Sequence, residues 1–361
     1  MIRTKLCELL GIKHPIIQGG MGPFQTNKLA VAVANAGALG IISTSGIVLK
    51  NDMGVDLGPL APEKGDSYEV LKKIIHQTAK ATEEERGIFG INVMVSAEMR
   101  EPARKLIQAA IDAREENPEV RKRLRAIITS AGDPLPWTEV IKPSGVTWLH
   151  VVPSVRAARR CEKAGVDVII ASGHEGGGHT AWEPVHSMVL IPAVARAVKT
   201  PVVAAGGFAD GASLVAALAL GAVGVQMGTR FVATKEADFV QMWKERILKS
   251  EERDTIIARG FVGPLRYLKN KASIELAKQT LEKIPELFIG RPDITLDPDI
   301  LARELEGTMA LLGEDDEKAL FYGGEVAGRI SDIPSVKELI ERIIGEAEEI
   351  LRKMPEFLDK S

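Results

Sequence analysis

The sequence predicts an α/β protein of the TIM (β/α)8-barrel type with a C-terminal helical extension. Eight short apolar runs occur before Phe231, helical patterns separate most of them, and the pattern changes after that residue. Continuously apolar runs such as Val168-Ile169-Ile170 are typical of strands buried on both faces of a parallel sheet. Strands that alternate with helices are joined by right-handed crossovers, so eight such units can close into a barrel. An open doubly wound sheet is the alternative.

The elements are predicted as follows. Strands are expected at 15–19, 39–43, 88–94, 125–130, 147–152, 167–172, 201–205 and 224–228. Helices are expected at 28–36, 68–81, 101–113, 155–164, 188–198 and 211–220. In three places (35–42, 163–170 and 219–226) a glycine stands between a helix and the next strand, as a left-handed C-cap requires. Any α/β protein uses this cap, so the repeat supports the fold class and not a function.

We expect residues 1–235 to form the barrel and residues 236–361 to form a helical extension packed on it. Residues 236–312 look largely helical, with interruptions at Gly263-Pro264 and 290–292. Residues 335–354 have a strongly amphipathic helical pattern, and Ser335 with Glu338 has the spacing of a capping box. The loop 51–66 follows the second strand and is either a lid over the catalytic face or disordered.

The composition excludes several classes of protein. Lys and Arg number 46 against 49 Asp and Glu, a net charge of -3, which argues against a general nucleic-acid-binding protein and against polybasic membrane attachment. Only two cysteines are present, Cys7 and Cys161, without metal-ligand spacing, and this fits a reducing, cytoplasmic location. The N-terminal apolar run is too short for a signal peptide, and no segment reaches the roughly 20 apolar residues of a membrane span. We therefore expect a cytoplasmic protein with a small-molecule substrate.

Glycines follow the seventh and the eighth predicted strands. Gly206-Gly207 ends the run PVVAAGG, and Gly228-Thr229 ends the run GVQMGT. In TIM barrels the loops after these two strands form the usual phosphate site, with backbone N–H groups and a helix N-terminus facing the anion. Asp210 is typical instead of the N-cap of the next helix. The two loops together predict a phosphate site.

Two further candidates precede these loops in the chain. Gly19-Gly20-Met21 ends the first predicted strand, where backbone without Cβ atoms could lie against an aromatic ring system. A simple tight turn would also explain this glycine pair. Asn92 follows the apolar run IFGI and is a secondary candidate, because satisfied core asparagines are common.

The segment GHEGGGH (173–179) follows the sixth predicted strand. Its glycines let backbone amides approach a ligand, and the pKa of a histidine suits proton transfer near neutrality. The spacings of His174, His179 and His186 match no helix-based metal motif, so a metal site is disfavoured. We interpret one of these histidines as a general acid or base.

With these segments in place, the chain resembles the FMN-dependent nitronate monooxygenase (2-nitropropane dioxygenase) family, which also contains the flavin-type enoyl-acyl-carrier-protein reductases. The resemblance covers residues 5–235 and 260–352. It depends on the motifs PIIQGGM (15–21), GINV (90–93), VVPSVRAARR (151–160), GHEGGGH (173–179), PVVAAGGFADG (201–211) and ALGAVGVQMGTRF (219–231).

The resemblance implies a barrel that binds FMN without a covalent bond. Residues implied to lie against the flavin rings are Gly19, Gly20, Met21, Asn92 and Gly178. Residues implied to hold the phosphate are Gly206, Gly207, Gly228 and Thr229, with Gln226 and Met227 nearby. The resemblance also implies that His179 is the catalytic histidine beside the reactive edge of the flavin.

Three positions depart from the family pattern. Gly176 replaces the alanine of the glycine-rich signature, and Val151 replaces a lysine that some members carry. Trp182 stands shortly after His179 and is expected either to wall the substrate pocket or to pack under the loop. Together with the insert at 51–66, these departures leave the substrate open.

The first expectation for activity is oxidation of alkyl nitronates with O2, with His179 removing the α-proton when the substrate is a neutral nitroalkane. The alternatives are reduction of an enoyl thioester and reduction of a quinone, both with NAD(P)H as co-substrate. A non-flavin barrel that binds a phosphorylated metabolite would explain the glycine loops equally well. The C-terminal helix is expected to pack either within the subunit or across a homodimer.

Overall fold

The computed structural model of the protein describes residues 2–58, 61–260, 263–290, 297–313 and 315–358. Eight parallel strands form a closed ring: β1 (Ile16–Gln18), β2 (Leu39–Ser43), β3 (Ile88–Met94), β4 (Leu124–Ser130), β5 (Thr147–Val152), β6 (Val168–Ser172), β8 (Val202–Ala205) and β9 (Val225–Met227). The two-residue strand β7 (Gly178–His179) lies outside the ring. Because β1 pairs with both β2 and β9, the barrel is closed, the predicted TIM barrel is confirmed and the open sheet is wrong.

The α-helices of the barrel part of the chain are α1 (Lys5–Leu10), α2 (Asn27–Asn35), α3 (Ser45–Asn51), α4 (Ser67–Ala81), α5 (Arg100–Glu116), α6 (Pro118–Arg123), α7 (Thr138–Ile141), α8 (Val155–Ala164), α9 (Ser187–Ala197), α10 (Gly211–Ala219) and α11 (Thr229–Val232). Those that follow are α12 (Gln241–Lys249), α13 (Lys271–Lys283), α14 (Pro298–Met309) and α15 (Val336–Lys353). Every strand and helix predicted for the barrel is present, with bounds that differ by at most a few residues.

Two apolar clusters hold the barrel together. The first lies between the strands and the surrounding helices and includes Phe89 and Trp148. The second fills the barrel itself with alternate residues of the strands, such as Ile41 and Ile170, and is closed at the N-terminal end by the apolar face of α1. This alternation follows from the period-2 geometry of a strand, which sends successive side chains to opposite faces. The barrel is therefore a packed core, and a polar layer lies at its C-terminal end, described below.

Helix α15 packs against α10 and α2, so it completes the ring of outer helices next to β9. The helices approach closely at Gly211, where an added Cβ would lie 2.5 Å from the backbone nitrogen of Ala347. The predicted capping box is present, with Ser335 Oγ accepting from the N–H of Glu338. Helix α15 therefore lies within the outer ring of helices. The division of the chain at residue 235 stays a prediction.

The prediction that 236–312 is largely helical is wrong for one segment. Strands β10 (Thr255–Arg259) and β11 (Pro264–Leu268) form an antiparallel hairpin, and β7 extends it to a three-stranded sheet in the order β10-β11-β7. The Gly263-Pro264 interruption lies at the start of β11, while residues 291 and 292 of the second interruption lie outside the described residues. The hairpin packs on α13 through a third apolar cluster that includes Tyr267 and Leu276. We call β10 and β11 the insert hairpin.

The segment after α3 runs along that helix. Asn51 accepts a hydrogen bond from the N–H of Gly65 at 2.8 Å, and Lys50 donates to the carbonyl of Ala61. Residues 59 and 60 lie outside the described residues, and a lid function for this loop stays a prediction. Within the described ranges, no helix has the length and the apolar character needed to cross a membrane.

Candidate active site at the C-terminal end of the barrel

The uppermost layer of the barrel interior is polar. Parallel partners face the same side of a sheet, so the register of Asn92 with Ile128 and of Gln226 with Ile17 turns both side chains into the barrel. Ser130 and Ser172 follow interior residues by two positions and face the same way. Amide and hydroxyl groups therefore cover the apolar interior at the end where TIM barrels place their chemistry.

Gln226 has an unused polar atom in this layer. Its Oε1 is buried and accepts no hydrogen bond from any described residue. Buried side-chain acceptors are rarely left without a partner, and an exception calls for an explanation such as a ligand. A ligand with an N–H group in the barrel mouth would supply the missing donor.

The glycines that follow β1 touch both Asn92 and the end of β9. An added Cβ on Gly20 would lie 2.3 Å from the carboxamide carbon of Asn92. The N–H of Gly19 donates to the carbonyl of Met227 at 2.8 Å. Met21 places its Sδ 3.7 Å from the position of an added Cβ on Gly228. The structure thus brings these six predicted residues into one contiguous group.

The glycines that follow β8 contact the segment GHEGGGH (173–179), which we call the glycine loop. Gly206 and Gly207 have φ values of 86° and 87°, the left-handed region that glycine occupies without strain. An added Cβ on Gly206 would lie 2.5 Å from the carbonyl oxygen of Gly173. Ser187 reinforces this contact, because its hydroxyl donates to the carbonyl of Gly206 at 2.7 Å. The turn after β8 and the start of the glycine loop are therefore packed backbone to backbone.

The amides at the start of α10 have partners within the protein. As predicted, Asp210 caps this helix by accepting from the N–H of Ser213 at 2.9 Å, and Glu346 accepts from the N–H of Gly211 at 2.8 Å. Thr229 Oγ1 accepts from the N–H of Gly324 at 3.0 Å, which leaves its hydroxyl hydrogen to donate elsewhere. An anion at this edge would accordingly be met by loop amides and by Thr229, and not by the N-terminus of α10.

Glu175, a residue of the glycine-rich loop, holds that loop in place. Its carboxylate accepts from the backbone N–H of Ser187 at 2.9 Å, and the Ser187 hydroxyl lies 3.2 Å from the same carboxylate. The carboxylate therefore satisfies an orphan donor at the start of α9, as an N-cap would. His186 Nδ1 lies 3.7 Å from the same carboxylate. Among the described residues no group of three or more His, Cys, Asp or Glu side chains is arranged to hold a metal ion.

His179 is placed by the insert hairpin. In β7 the residue pairs with Leu265, Gly178 pairs with Arg266, and the N–H of Thr180 donates to the carbonyl of Pro264 at 2.9 Å. Gly178 has a φ of 74° and open space where a Cβ would stand. His179 is thus linked to the mouth of the barrel through the backbone of the glycine loop, which contacts Gly206 through Gly176.

The electrostatic surroundings favour a neutral His179. Desolvation by the surrounding protein, followed by the positive charge of Arg259, lowers the pKa of His179 to about 4. His179 is nevertheless exposed to solvent by its surface area. At neutral pH the imidazole is unprotonated and able to accept a proton.

Trp182 packs against the insert hairpin. The guanidinium carbon of Arg259 lies 5.3 Å from the centre of the Trp182 ring, a cation–π distance. The indole also lies 3.7 Å from the position of an added Cβ on Gly263. These contacts account for Trp182 by packing, and a role as a wall of the substrate pocket stays a prediction.

Several residues that shape this region were missed by the sequence analysis. Arg266 and Glu325 contact the glycine loop from the extension, and Gly177 has the backbone of Gly323 and Gly324 within 2.5 Å of its Cβ position. The glycine pair in the run FYGGEV was a local signal for a close backbone approach. Arg266 lies in the run PLRYL, in which nothing marks a functional residue.

The closed barrel and the polar, glycine-lined layer at the C-terminal ends of its strands have the architecture of a TIM-barrel enzyme. A sequence model of the nitronate monooxygenase family matches residues 3–346, nearly the whole chain. The chain belongs to this family of oxidoreductases.

The relatives carry several names. The chain is 29% identical to the (3aS,4S,5R,7aS)-5-hydroxy-7a-methyl-1-oxo-octahydro-1H-indene-4-carboxyl-CoA dehydrogenase of Rhodococcus jostii, over 96% of each chain. It is 27% identical to a probable nitronate monooxygenase of Staphylococcus aureus, over 97% of this chain and 99% of the relative. Among solved structures, FabK from Thermotoga maritima matches with a TM-score of 0.79 and 32% identity, over 99% of this chain and 100% of FabK. The nitroalkane oxidase of Streptomyces ansochromogenes shares the fold, with a TM-score of 0.73 at 22% identity over 97% and 99% of the two chains.

Proposed function

We propose that the protein is an FMN-dependent oxidoreductase that oxidises alkyl nitronates with O2. The observation that carries the proposal is the buried Oε1 of Gln226, for which the described residues supply no hydrogen-bond donor. It lies in the polar mouth of the barrel, beside glycine backbone at Gly19, Gly20 and Gly228. A flat heterocycle with an N–H donor fits both features, because the glycines admit a ring against the backbone and Gln226 accepts from it. When bound, FMN would take electrons from the substrate and pass them to O2.

The residues present fit the two parts of FMN. Gly19, Gly20, Met21 and Asn92 form one contiguous group for the ring system, with Gly178 and Met227 beside it in the proposal. Gly206, Gly207, Gly228 and Thr229 would hold the phosphate through loop amides and the threonine hydroxyl. The carboxylate of Asp210 is engaged in capping α10.

His179 is the proposed catalytic base for neutral nitroalkanes. Its neutral imidazole would take the α-proton of the substrate, and the resulting nitronate would be the species that is oxidised. With a nitronate supplied directly, this proton transfer is unnecessary, and His179 would contribute mainly to orientation. The proposal therefore expects a larger effect of His179 with nitroalkanes than with nitronates.

The low pKa of His179 predicts an unusual pH profile. A base must be unprotonated to act, and a pKa of about 4 keeps the imidazole unprotonated down to mildly acidic pH. With a neutral nitroalkane we expect kcat/KM to stay level from pH 8 to about 5 and to fall only near pH 4, whereas an ordinary histidine would lose activity from about pH 6.5 downward. Steady-state rates in overlapping buffers measure this, and a decline centred near pH 6.5 would contradict the proposed state of His179.

The first test of the function is the colour of the purified protein. We expect a yellow protein with the absorbance bands of oxidised flavin, which releases FMN on denaturation and consumes O2 with propyl-2-nitronate. A colourless protein that cannot be reconstituted with FMN would instead support a non-flavin barrel that binds a phosphorylated metabolite.

The two cysteines support the proposed cytoplasmic location, because Cys7 and Cys161 are buried thiols that form no disulfide with each other.

A second candidate function is NAD(P)H-dependent turnover of an acyl thioester. The relative named as a carboxyl-CoA dehydrogenase, which matches nearly the full length of both chains, supports a thioester as the substrate class. Anaerobic mixing separates the two candidates. Rapid bleaching of bound flavin by propyl-2-nitronate, with none by NADH or NADPH, would support nitronate oxidation. Bleaching by a nicotinamide alone, followed by reoxidation with an enoyl thioester or a quinone, would support a reductase.

A further inference from the structure

We propose that Arg266 is a positioning residue for His179, because its side chain and its backbone clamp the two ends of the glycine loop that carries the imidazole. The inference rests on the proposed role of His179. One of its two tests measures the loop directly and does not depend on that role.

The clamp is made by one residue of the insert hairpin. The guanidinium of Arg266 donates from Nε at 3.1 Å and from Nη2 at 2.9 Å to the carbonyl oxygen of His174, at the start of the loop. The backbone of the same residue is paired with Gly178, at the end of the loop. The intervening residues 175–178 include three consecutive glycines, the residues with the most conformational freedom to lose. Fixing both ends from one rigid strand restricts where His179 lies.

The arginine is itself held firmly. Its side chain is almost fully buried, with 5% of the residue exposed. Nη1 donates to Thr255 Oγ1 at 2.7 Å on the neighbouring strand, and it forms an ion pair with Glu325 at 3.1 Å. A buried guanidinium is tolerated only when its donors are satisfied, and these partners satisfy them. The position of the His174 carbonyl is therefore set by a fixed group and not by a mobile surface side chain.

Glu325 connects the clamp to the loop a second time. Its backbone N–H donates to the carbonyl of Glu175 at 3.0 Å, while its carboxylate pairs with Arg266. Burial, followed by the positive charge of Arg266, lowers the pKa of His174, whereas burial and the charge of Arg259 lower the pKa of His179. The contacts of Arg266 with the loop are the hydrogen bonds to the His174 carbonyl and the backbone pairing with Gly178.

The first test measures hydrogen exchange in the protein without added cofactor. In Arg266→Gln we expect backbone amides of residues 174–180 to exchange at least about tenfold faster than in the unmodified chain, because opening of the loop costs less. The matched control is Arg246→Gln, which removes an arginine of α12. Arg246 bonds to Lys269, Asp316 and Glu317, and none of them belongs to the glycine loop. Unchanged exchange of 174–180 in Arg266→Gln, or equal acceleration there in the control, would overturn the proposal.

The second test is a double-mutant cycle on the flavin-loaded enzyme. Arg266→Gln should lower kcat for a nitroalkane about 10- to 100-fold with FMN still bound, since misplacement of a catalytic group by about 1 Å has effects of this size. In a His179→Ala background the same substitution should change kcat by less than about twofold, because residues that act as a unit are not additive. Equal losses in both backgrounds would show a role independent of His179. An unmodified chain without flavin or turnover would refute the proposed function and leave the exchange test to decide on the clamp.

Arg266→Lys keeps the test decisive if Arg266→Gln does not fold. Lysine retains the charge but lacks the planar fork that makes both bonds to the His174 carbonyl. We expect faster exchange of the loop amides and a lower kcat in this variant than in the unmodified chain. A lysine variant that matches the unmodified chain in both loop exchange and kcat would contradict the proposal.

Discussion

Replacing His179 by alanine is expected to lower kcat with a neutral nitroalkane about 100- to 10,000-fold, the usual contribution of a positioned general base. FMN should remain bound, because the proposed ring and phosphate contacts lie on the barrel loops and not on the imidazole. Stopped-flow bleaching of the flavin under anaerobic conditions measures the chemical step directly. With propyl-2-nitronate the loss should be smaller, since that substrate arrives without the proton.

His76→Ala serves as the control, because it removes a histidine from α4, on the outside of the barrel. Turnover in this variant should stay within about twofold of the unmodified enzyme, as is usual for substitutions away from the site. A His179→Ala enzyme with unchanged turnover of nitroalkane would remove His179 from the mechanism. The same variant without bound flavin would show instead that the imidazole is needed for cofactor binding.

Gly206→Ala is expected to lower both the stability of the protein and its FMN content. The residue has a φ of 86°, and its Cβ would lie 2.5 Å from the carbonyl oxygen of Gly173 and 2.9 Å from its nitrogen. Both atoms belong to the backbone and cannot rotate away, so the turn after β8 and the glycine loop must separate. The left-handed conformation and the overlap together should lower the free energy of unfolding by about 2–5 kcal/mol. Denaturant unfolding and the flavin-to-protein absorbance ratio measure the two effects.

Gly145→Ala isolates the conformational part of this effect. Gly145 has a φ of 66°, lies at the N-terminal end of the barrel before β5, and has no heavy atom within 4 Å of its Cβ position. Its replacement should lower the free energy of unfolding by only about 1–2 kcal/mol and should leave FMN binding intact. Equal losses of stability and equal flavin content in both variants would mean that the contact between Gly206 and Gly173 is unimportant.

The two strongest local signals in the sequence were strand burial and glycine placement. Runs such as Ile169-Ile170 predicted the ring of strands almost to the residue, because a strand covered on both faces must be apolar throughout. Gly19, Gly20, Asn92 and Gly228 were grouped around one ligand by the resemblance, and the structure brings them into one contiguous group. The roles of these residues toward a cofactor stay predictions.

The insert hairpin could not be predicted in the same way. β10 and β11 have five residues each, and they are stabilised by pairing with β7 and by packing on α13. β7 lies far away in the chain, and α13 follows the hairpin. A short apolar run is compatible with a strand or a buried helix until its partner is known. The segment therefore looked helical, as its neighbours are.

The amino-acid sequence by itself determined that this protein is an eight-stranded α/β barrel, and it located glycine turns at the ends of the first, sixth, seventh and eighth strands. Both are local properties, because a strand buried on two faces and a glycine turn are each recognised from a few consecutive residues. Only the tertiary structure decided that α15 completes the outer ring and that Arg266 holds the loop of His179 at both ends. It also decided that the Oε1 of Gln226 has no hydrogen-bond donor among the residues that the structure describes. Each of these depends on a contact between segments distant in the chain, and such contacts leave no periodic trace in the sequence.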